Sequence, residues 1–503
     1  MLTPTNKIWE LLTFTSGILL SLAFAPFDYA YLAILSLTIL FSSWENISPK
    51  RALLRGYLFG LGMFGVGVSW VYVSVHDYGG ASVLISIIIT LAFVGFWAIF
   101  PALAGYLTCK LLSSTCQSAR LAAMPLIWIL VEYFRGQYVL NGFPWLQISY
   151  SQLETPLSGY LPVLGGYTVG LMLSATATAI LFIIRGRNYK LFGLGFVLII
   201  WLLGSYLQGK NWTHALGEPI MVTMIQGNVP QDQKWRPENR NKIIKRYQRL
   251  TGQHWDADVI IWPETAIPDF LDKVQESLLQ PLAEKARLTN TDVIVSLPIR
   301  KNKGKPYYNA VLALGQQTSM YRKVHLLPFG EYLPFQPLSG YLLRQLKIMP
   351  VGSFTPGDID QPLLTGAGYP FSTSICYEDV FPKLVIKDLP TASYLVNVTN
   401  DAWFGNSIEP HQHMQLARMR AIETGRFLLR ATNTGVTGVV APDGKVINQA
   451  PMFQEATITT GITPMQGMTP YAKIGDLPVI LLLLFLLCCI VIGSRIGHRK
   501  SPD

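Results

Sequence analysis

The sequence predicts a multi-pass α-helical membrane domain of about eight transmembrane helices joined to an α/β layered domain. The chain has 503 residues, of which 50% are hydrophobic and 14% charged, a balance too apolar for an ordinary soluble protein. The long apolar segments lie before residue 210 and after residue 475. Between them, short β-branched runs alternate with amphipathic stretches of helical length, which is typical of helices covering sheets.

The predicted membrane domain covers 1–210, and a further span with its tail covers 475–503. Seven apolar stretches before residue 210 and one after residue 475 are long enough to cross about 30 Å of hydrocarbon. We expect the first to be retained, because no convincing small-residue cleavage site follows it. The predicted spans are 8–25, 28–44, 54–75, 81–108, 120–135, 160–184, 191–208 and 477–493.

The distribution of lysine and arginine predicts the orientation, because cytoplasmic loops are enriched in both. With the N-terminus inside, the outer short loops hold little beyond Arg135 and Lys210, so 211–474 is expected outside the cytoplasm and both termini inside it. The same asymmetry explains most of the net charge of +10, so no nucleic-acid partner is expected. The basic residues assigned to the inner side are Lys50, Arg51, Arg55, Lys110, Arg120, Arg185, Arg187, Lys190, Arg495, Arg499 and Lys500.

The block 211–474 is long enough to bury a core of its own. Its β-branched runs predict strands, and its amphipathic stretches predict helices. The predicted strands are 220–225, 259–262, 293–297, 310–314, 371–376, 394–398, 435–440 and 456–462. The predicted helices include 238–253, 271–288 and 411–423.

The chain has five cysteines, and only Cys376 lies in this block. The other four lie in or beside predicted spans. An isolated thiol in a large domain is either an inert core residue or a nucleophile. Two other fragments favour the nucleophile, because Glu264 and Lys323 each follow an apolar, strand-like run.

These three residue types can transfer an acyl group together. A carboxylate in a water-poor pocket, such as Glu264, can accept the proton of a thiol. A lysine ammonium, helped by the backbone N–H of Tyr377, would stabilise the oxyanion and is expected to lower the thiol pKa. Spacing in the sequence does not show that Glu264, Lys323 and Cys376 meet.

The order of these fragments resembles the nitrilase superfamily, whose Glu-Lys-Cys triad lies on an αββα sandwich. Pro263-Glu264, a lysine and Cys376-Tyr377-Glu378 carry this resemblance. Longer motifs are similar to the apolipoprotein N-acyltransferase family and extend over nearly the whole chain. These motifs are 226–231, 323–334, 400–405 and 410–413, with 142–146 and 150–152 in the membrane part.

The resemblance implies a two-step acyl transfer in the bacterial inner membrane, with the catalytic domain on the periplasmic side. Cys376 is then the nucleophile, Glu264 the proton acceptor and Lys323 the oxyanion ligand. A phospholipid, typically phosphatidylethanolamine, donates its sn-1 acyl chain to the N-terminal amine of diacylglyceryl-cysteine on an apolipoprotein. No metal or cofactor is implied. The residues implied to be supporting or essential are Trp235, Glu331, Tyr377 and Glu378, with Glu331 orienting Lys323 through an ion pair.

Two other functions remain open. A membrane-tethered nitrilase-type amidase would use the same triad with water as the second nucleophile, although a soluble amide needs no bilayer. A transporter would place ionisable residues within its spans, and few are found apart from Glu132 and Arg55 near span ends.

Several neighbouring residues have more than one interpretation. His411 and His413 are spaced for a metal on a strand, but they precede a helix-like run, and hydrogen bonding there is the expected role. Trp403 and Phe404 are either core aromatics or part of an acyl pocket. The apolar stretch 332–343 is predicted to reach the outer leaflet and admit lipid.

Overall fold

The computed structural model describes residues 6–113, 115–185, 190–300, 306–345 and 352–499. Arg187 and Lys500, assigned above to the inner side, lie outside these residues. Contacts divide the chain into two compact units. The first contains Met1–Tyr72, Val83–Lys210 and Ile474–Asp503, and the second contains Val73–Ser82 and Asn211–Lys473. The short segment Val73–Ser82 thus packs with the second unit, although helices of the first unit flank it in sequence.

The first unit is helical throughout its regular structure. Ser48 begins one of its helices by accepting a hydrogen bond from the Arg51 N–H, followed by Pro49 at the first helical position. The helices up to residue 208 are α1 (Asn6–Ser21), α2 (Tyr31–Ser43), α3 (Pro49–Gly67), α4 (Val71–Val73), α5 (Val83–Leu111), α6 (Gln117–Gln137), α7 (Leu161–Arg185) and α8 (Lys190–Gln208).

Three helices of the described residues are long and apolar enough to cross a membrane, namely Val83–Leu111, Pro156–Ile184 and Lys190–Gln208. A bent pair, Pro49–Gly67 with Val71–Tyr78, raises the number to four if it forms one span. The predicted eight spans are therefore not confirmed. The apolar stretches did not reveal where helices stop: α1 has 16 residues and α2 has 13, about 24 and 20 Å at 1.5 Å per residue.

Two arginines expected in loops are instead buried within helices. Arg135 is in the last turn of α6, buried, and donates to the Trp145 carbonyl oxygen at 2.7 Å. Arg55 is buried in α3, where it donates to the Asn6 Oδ1 at 3.2 Å. Charge patterning counts such residues as loop charges because it does not register their burial.

The second unit contains all the strands of the described residues. They are β1 (His214–Ala215), β2 (Ile220–Gln226), β3 (Val259–Ile261), β4 (Asp292–Arg300), β5 (Tyr307–Leu314), β6 (Ser319–Arg322), β7 (Leu364–Gly366), β8 (Tyr369–Ile375), β9 (Tyr394–Thr399), β10 (Leu428–Thr432), β11 (Gly438–Val440), β12 (Val446–Gln449), β13 (Ala456–Ile462) and β14 (Met465–Gln466).

The helices of the second unit connect and cover these strands. They are α9 (Gln231–Lys234), α10 (Pro237–Thr251), α11 (Leu271–Val274), α12 (Gln280–Thr289), α13 (Leu338–Gln345), α14 (Pro382–Ile386), α15 (Glu409–Thr424) and α16 (Pro470–Ile474). The first unit resumes at Ile474, the last residue of α16, and contains α17 (Leu477–Arg499).

Two six-stranded sheets form the second unit, in the orders β13-β2-β3-β4-β5-β6 and β12-β11-β10-β9-β8-β7. One hydrophobic core combines residues of both sheets, including Val222 and Val396. A second core joins the first sheet to α10 and α12, and a third joins the second sheet to α15. This packing gives helix, sheet, sheet, helix layers, so the expected αββα sandwich is confirmed.

Strand direction positions the site. The strands β2, β3 and β4 run parallel in the first sheet, and β8, β9 and β10 run parallel in the second. Because β5 is antiparallel to both neighbours, β6 runs in the same direction as β4. The carboxyl ends of β3, β4 and β6 therefore share one edge of their sheet, as do those of β8, β9 and β10.

Candidate active site

Glu264 lies three residues beyond β3, at the carboxyl edge of the first sheet, and is buried. Asn309 of β5 donates from Nδ2 to the Glu264 Oε1 at 2.7 Å and to the Glu331 Oε1 at 3.3 Å. Burial raises the pKa of Glu264 above its ordinary value, and the opposing charge of Lys323 reduces this effect. A carboxylate in this environment is a better proton acceptor than an exposed one.

Lys323 directly follows β6, and its side chain is almost completely buried. Its Nζ lies 2.8 Å from the Glu331 Oε2, and its N–H donates to the Asn309 carbonyl oxygen at 2.8 Å. Burial opposes the charge on Lys323, but Glu331, Cys376 and Glu264 outweigh it, so the pKa of Lys323 is raised. The ammonium therefore stays charged at neutral pH.

Cys376 directly follows β8 and has a φ of 52°, a left-handed conformation that is uncommon for a residue other than glycine. The side chain keeps partial exposure. Burial and the charge of Glu264 raise the pKa of the thiol to about 12, although Lys323 acts in the opposite direction. The expected lowering of the thiol pKa by Lys323 is thus outweighed, because desolvation penalises the thiolate.

Glu378 joins the ends of the two strands that carry Cys376 and Lys323. Its carboxylate is completely buried and accepts four hydrogen bonds from groups adjoining both residues. Burial nevertheless raises the pKa of Glu378 to about 7. The donors are the N–H groups of Ile375 (2.8 Å), Val324 (2.7 Å) and His325 (3.0 Å) and the hydroxyl of Tyr321 (3.0 Å).

Trp235 and Tyr377 differ in their environments. Trp235 follows α9 and is about half exposed, whereas Tyr377 is buried with its ring edge-on to Phe381 at 5.3 Å. Beside Trp235, the buried Lys234 donates from Nζ to the backbone carbonyl oxygen of Glu264 at 3.1 Å. Burial lowers the pKa of Lys234 to about 8, with Glu264 acting in the opposite direction. Lys234 was not predicted from the sequence, where its position before Trp235 was the only signal.

A buried network of charges lies next to Cys376. His413 is within α15 and contacts the Asp401 Oδ1 and the Asp379 Oδ1, both at 3.1 Å. Arg430 of β10 pairs with the Asp379 Oδ2 at 3.0 Å and the Asp401 Oδ2 at 3.2 Å. Burial and the charge of Arg430 lower the pKa of His413. The charges of Asp379 and Asp401 raise it by more, so the pKa lies well above its ordinary value.

Three members of this region, Asp401, Glu409 and His413, have ligand atoms within 4.8 Å of one another, close enough to hold a metal ion. Arg430 and a protonated His413 already neutralise these carboxylates, and a metal would have to displace that charge. His413, near the start of α15, forms hydrogen bonds to Asp379 and Asp401, which lie outside that helix. The expected role of His411 stays a prediction.

Two segments that follow site residues in the sequence carry exposed apolar side chains. Trp403 is 38% exposed and lies edge-on to Tyr78 at 6.3 Å, so it is not an ordinary core aromatic. In the stretch 332–343, Phe335, Leu338 and Tyr341 are each more than half exposed. An apolar surface of this kind marks a site for lipid or for another apolar partner.

Comparison with known proteins identifies the family. Residues 16–179 match the family described as "Apolipoprotein N-acyltransferase N-terminal domain", and residues 221–470 match "Carbon-nitrogen hydrolase". An apolipoprotein N-acyltransferase of Methylococcus capsulatus is 49% identical over 97% of this chain and 96% of its own. The chain belongs to the apolipoprotein N-acyltransferase family.

Further members of the apolipoprotein N-acyltransferase family align over similar lengths. The protein of Nitrosomonas europaea is 38% identical over 97% of this chain and 98% of its own. The protein of Pseudomonas aeruginosa LESB58 is 39% identical over 98% of this chain and 97% of its own. The segment matching carbon-nitrogen hydrolases contains Glu264, Lys323 and Cys376, and its nitrilase-like sheets are those described above.

Proposed function

We propose that the protein transfers an acyl chain from a phospholipid to the N-terminal amine of diacylglyceryl-cysteine on apolipoproteins, the last step of lipoprotein maturation. The donor is a phospholipid, typically phosphatidylethanolamine, and the chain comes from its sn-1 position. The observation that carries this proposal is that one set of buried contacts links the three residues. Asn309 donates to both Glu264 and Glu331, and Glu331 lies 2.8 Å from the Lys323 Nζ. Glu378 accepts hydrogen bonds from backbone groups beside both Lys323 and Cys376. Family membership supports the acyl-transfer chemistry.

The first half-reaction acylates Cys376. Glu264 accepts the thiol proton while sulfur attacks the sn-1 carbonyl carbon, and the carbonyl oxygen becomes an oxyanion beside Lys323 and the Tyr377 N–H. When this intermediate collapses, the ester C–O bond breaks. Glu264 returns the proton to the departing oxygen, which leaves a thioester on Cys376 and a free lysophospholipid.

The second half-reaction uses the same groups for an amine. The neutral α-amine of the lipoprotein attacks the thioester carbonyl carbon, and Glu264 accepts one of its protons. The C–S bond then breaks, the amide forms, and the proton passes to the Cys376 sulfur. Two steps through one covalent intermediate constitute a ping-pong mechanism.

The other four predicted residues support these steps. Glu331 lies 2.8 Å from the Lys323 Nζ and orients it, and Glu378 holds the chain on both sides of the site. The backbone N–H of Tyr377 contributes to the oxyanion site. Trp235, half exposed beside the Glu264 loop, contacts substrate.

We also propose the arrangement in the membrane. Eight spans divide between 1–210 and 475–503, and 211–474 is the catalytic domain on the periplasmic side of the bacterial inner membrane. Both termini are then cytoplasmic. The apolar side chains of the stretch 332–343 support a lipid donor, because a domain that acts on a soluble amide gains nothing from exposing them.

Mass spectrometry of the protein purified from membranes tests the acyltransferase against the amidase. We expect a fatty acyl thioester on Cys376 after incubation with phosphatidylethanolamine, and its transfer to a diacylglyceryl-cysteine peptide. Cys376→Ser, a nearly isosteric change, should retain the fold and lose both products, since serine ionises far less readily. Release of free fatty acid from the intermediate, with no transfer to the peptide, would support the amidase.

A further inference from the structure

Asn397 lies directly beside the nucleophile on the neighbouring strand. Its register partner across β9 and β8 is Ser374, two residues before Cys376, and its side chain is completely buried. The Asn397 Nδ2 donates to the carbonyl oxygen of Cys376 at 3.2 Å and to the Ser374 Oγ at 3.0 Å. The side chain of Asn397 therefore restrains the backbone at the residue that bears the thiol.

Arg430 restrains Asn397 from the other side. It is the register partner of Asn397 on β10 and is fully buried. Its Nη1 donates to the Asn397 Oδ1 at 2.6 Å and to the Asp379 Oδ2 at 3.0 Å. A guanidinium group only donates, so the amide oxygen of Asn397 has to face Arg430 and the amide nitrogen has to face Cys376.

The contact between Asn397 and the Cys376 carbonyl oxygen also determines which way the Tyr377 N–H points. The carbonyl of Cys376 and the N–H of Tyr377 belong to one planar trans peptide, in which C=O and N–H point in opposite directions. Drawing the carbonyl oxygen towards Asn397 thus directs the Tyr377 N–H away from it. The left-handed φ of 52° at Cys376 is uncommon for such a residue and needs a restraint of this kind.

We propose that Asn397, oriented by Arg430, is a positioning residue that holds the Cys376–Tyr377 peptide so that the Tyr377 N–H serves as an oxyanion donor. The inference rests on the proposed role of Cys376 as the acylated nucleophile. Asn397 touches no substrate atom and acts through the peptide plane alone. Because the oxyanion forms only during attack on a carbonyl carbon, loss of Asn397 should slow acyl transfer more than other reactions of the same thiol.

Two reactions of Cys376 separate this role from a general effect on the thiol. Acylation by phosphatidylethanolamine in detergent micelles passes through an oxyanion, whereas alkylation by iodoacetamide displaces iodide and forms none. Both are followed by intact mass on the purified full-length protein. Asn397→Leu removes the donor, is close in volume, and leaves Arg430 paired with Asp379 and Asp401.

We expect Asn397→Leu to slow acylation about 10- to 100-fold and to leave the alkylation rate unchanged. Ser374→Ala is the matched control, because it removes the other strong acceptor of the Asn397 Nδ2 but leaves the contact with Cys376. It should change neither rate by more than about threefold. Asn397→Ser, whose side chain is too short to reach the Cys376 carbonyl, is measured in the same way and replaces Asn397→Leu if leucine prevents folding.

The ratio of the acylation rate to the alkylation rate decides the outcome. A fall of about tenfold or more relative to the wild type supports the inference, and a smaller fall overturns it, including the case in which both rates drop together. Cys376→Ala separates this from the broader proposal. An acyl-enzyme that still forms in Cys376→Ala refutes the nucleophile itself, whereas a Cys376-dependent thioester with an unchanged ratio refutes only the role of Asn397.

Discussion

At the scale of single residues, burial of the Cys376 thiol is the main reason why the proposed mechanism includes a base. Its pKa of about 12 means that it is almost entirely protonated at neutral pH, even with the Lys323 ammonium nearby. Glu264 is buried and close enough to influence that pKa. A carboxylate whose own pKa is raised is well matched to accept the proton during attack.

Glu264→Gln should prevent the thioester from forming, because glutamine cannot accept a proton and Lys323 alone does not ionise the thiol. The measurement is the intact mass of the variant after incubation with phospholipid and no acceptor. The control is Glu276→Gln, which makes the same change at an exposed glutamate of the same unit. Abundant thioester in Glu264→Gln would show that Glu264 acts mainly on the incoming amine.

The pH dependence of acylation should follow Glu264 rather than Cys376. Glu264 works as a base only when ionised, so the single-turnover acylation rate should be lost as the pH falls through its raised pKa and should rise to a plateau above it. A thiol with a pKa of about 12 adds no second rise near pH 8 or 9. Such a rise in the measured profile would mean that the thiol ionises by itself.

Lys323→Met and Lys323→Arg should both lose acylation activity. Methionine carries no charge, and the guanidinium fork of arginine does not fit where the compact Lys323 ammonium contacts Glu331. Losing one oxyanion ligand costs about 3 to 4 kcal/mol of transition-state stabilisation. Acylation rates with phosphatidylethanolamine measure the effect, and Lys445→Arg, a highly exposed lysine, is the control. More than about a tenth of the wild-type rate in Lys323→Arg, a difference of about 1.4 kcal/mol, would refute the assignment.

At the scale of elements, the site depends on how the ends of β6 and β8 are joined. The N–H of Ile375, the last residue of β8, and the N–H of Val324, just beyond β6, both donate to the Glu378 carboxylate. The same carboxylate thus determines the positions of both Lys323 and Cys376.

Glu378→Gln should weaken that connection. The amide nitrogen of glutamine is a donor, so it would face at least one N–H that now donates to a carboxylate oxygen. A buried mismatch of this kind costs about 1 to 3 kcal/mol of unfolding free energy. We expect a lower Tm together with slower acylation, measured on the same preparation and compared with Glu276→Gln. A variant with the wild-type acylation rate would show that Glu378 does not align the two strand ends.

Two of the predicted strands match the structure closely. The predicted strand 456–462 coincides with β13, and 371–376 overlaps β8 apart from its ends. In contrast, β10 was missed, because Arg430 stands at its centre and a charged residue argues against a buried strand. The single helix predicted at 271–288 is instead two α-helices, α11 and α12, separated by the π-helical turn Gln275–Leu279.

At the scale of the whole molecule, we propose that the exposed apolar side chains of the stretch 332–343 contact the lipid donor. Replacing both Phe335 and Leu338 with serine should slow acylation from phosphatidylethanolamine vesicles about tenfold or more, because each buried side chain of this size contributes about 1.5 to 3 kcal/mol. Acylation from a short-chain, water-soluble ester should be unchanged. Ile359→Ser, an exposed apolar residue outside the stretch, is the control, and equal losses with both donors would contradict the lipid role.

The sequence by itself determined the membrane and α/β classes, the family resemblance and the residues able to do the chemistry, because composition, hydrophobic period and residue type are local properties. The number of helices long enough to span a membrane depended on where helices end and bend. Which reactive residues share one edge followed from strand direction. The contacts of Asn397, Arg430 and Glu378, and the raised pKa of the Cys376 thiol, depended on the tertiary structure, because burial is the sum of everything packed around a group.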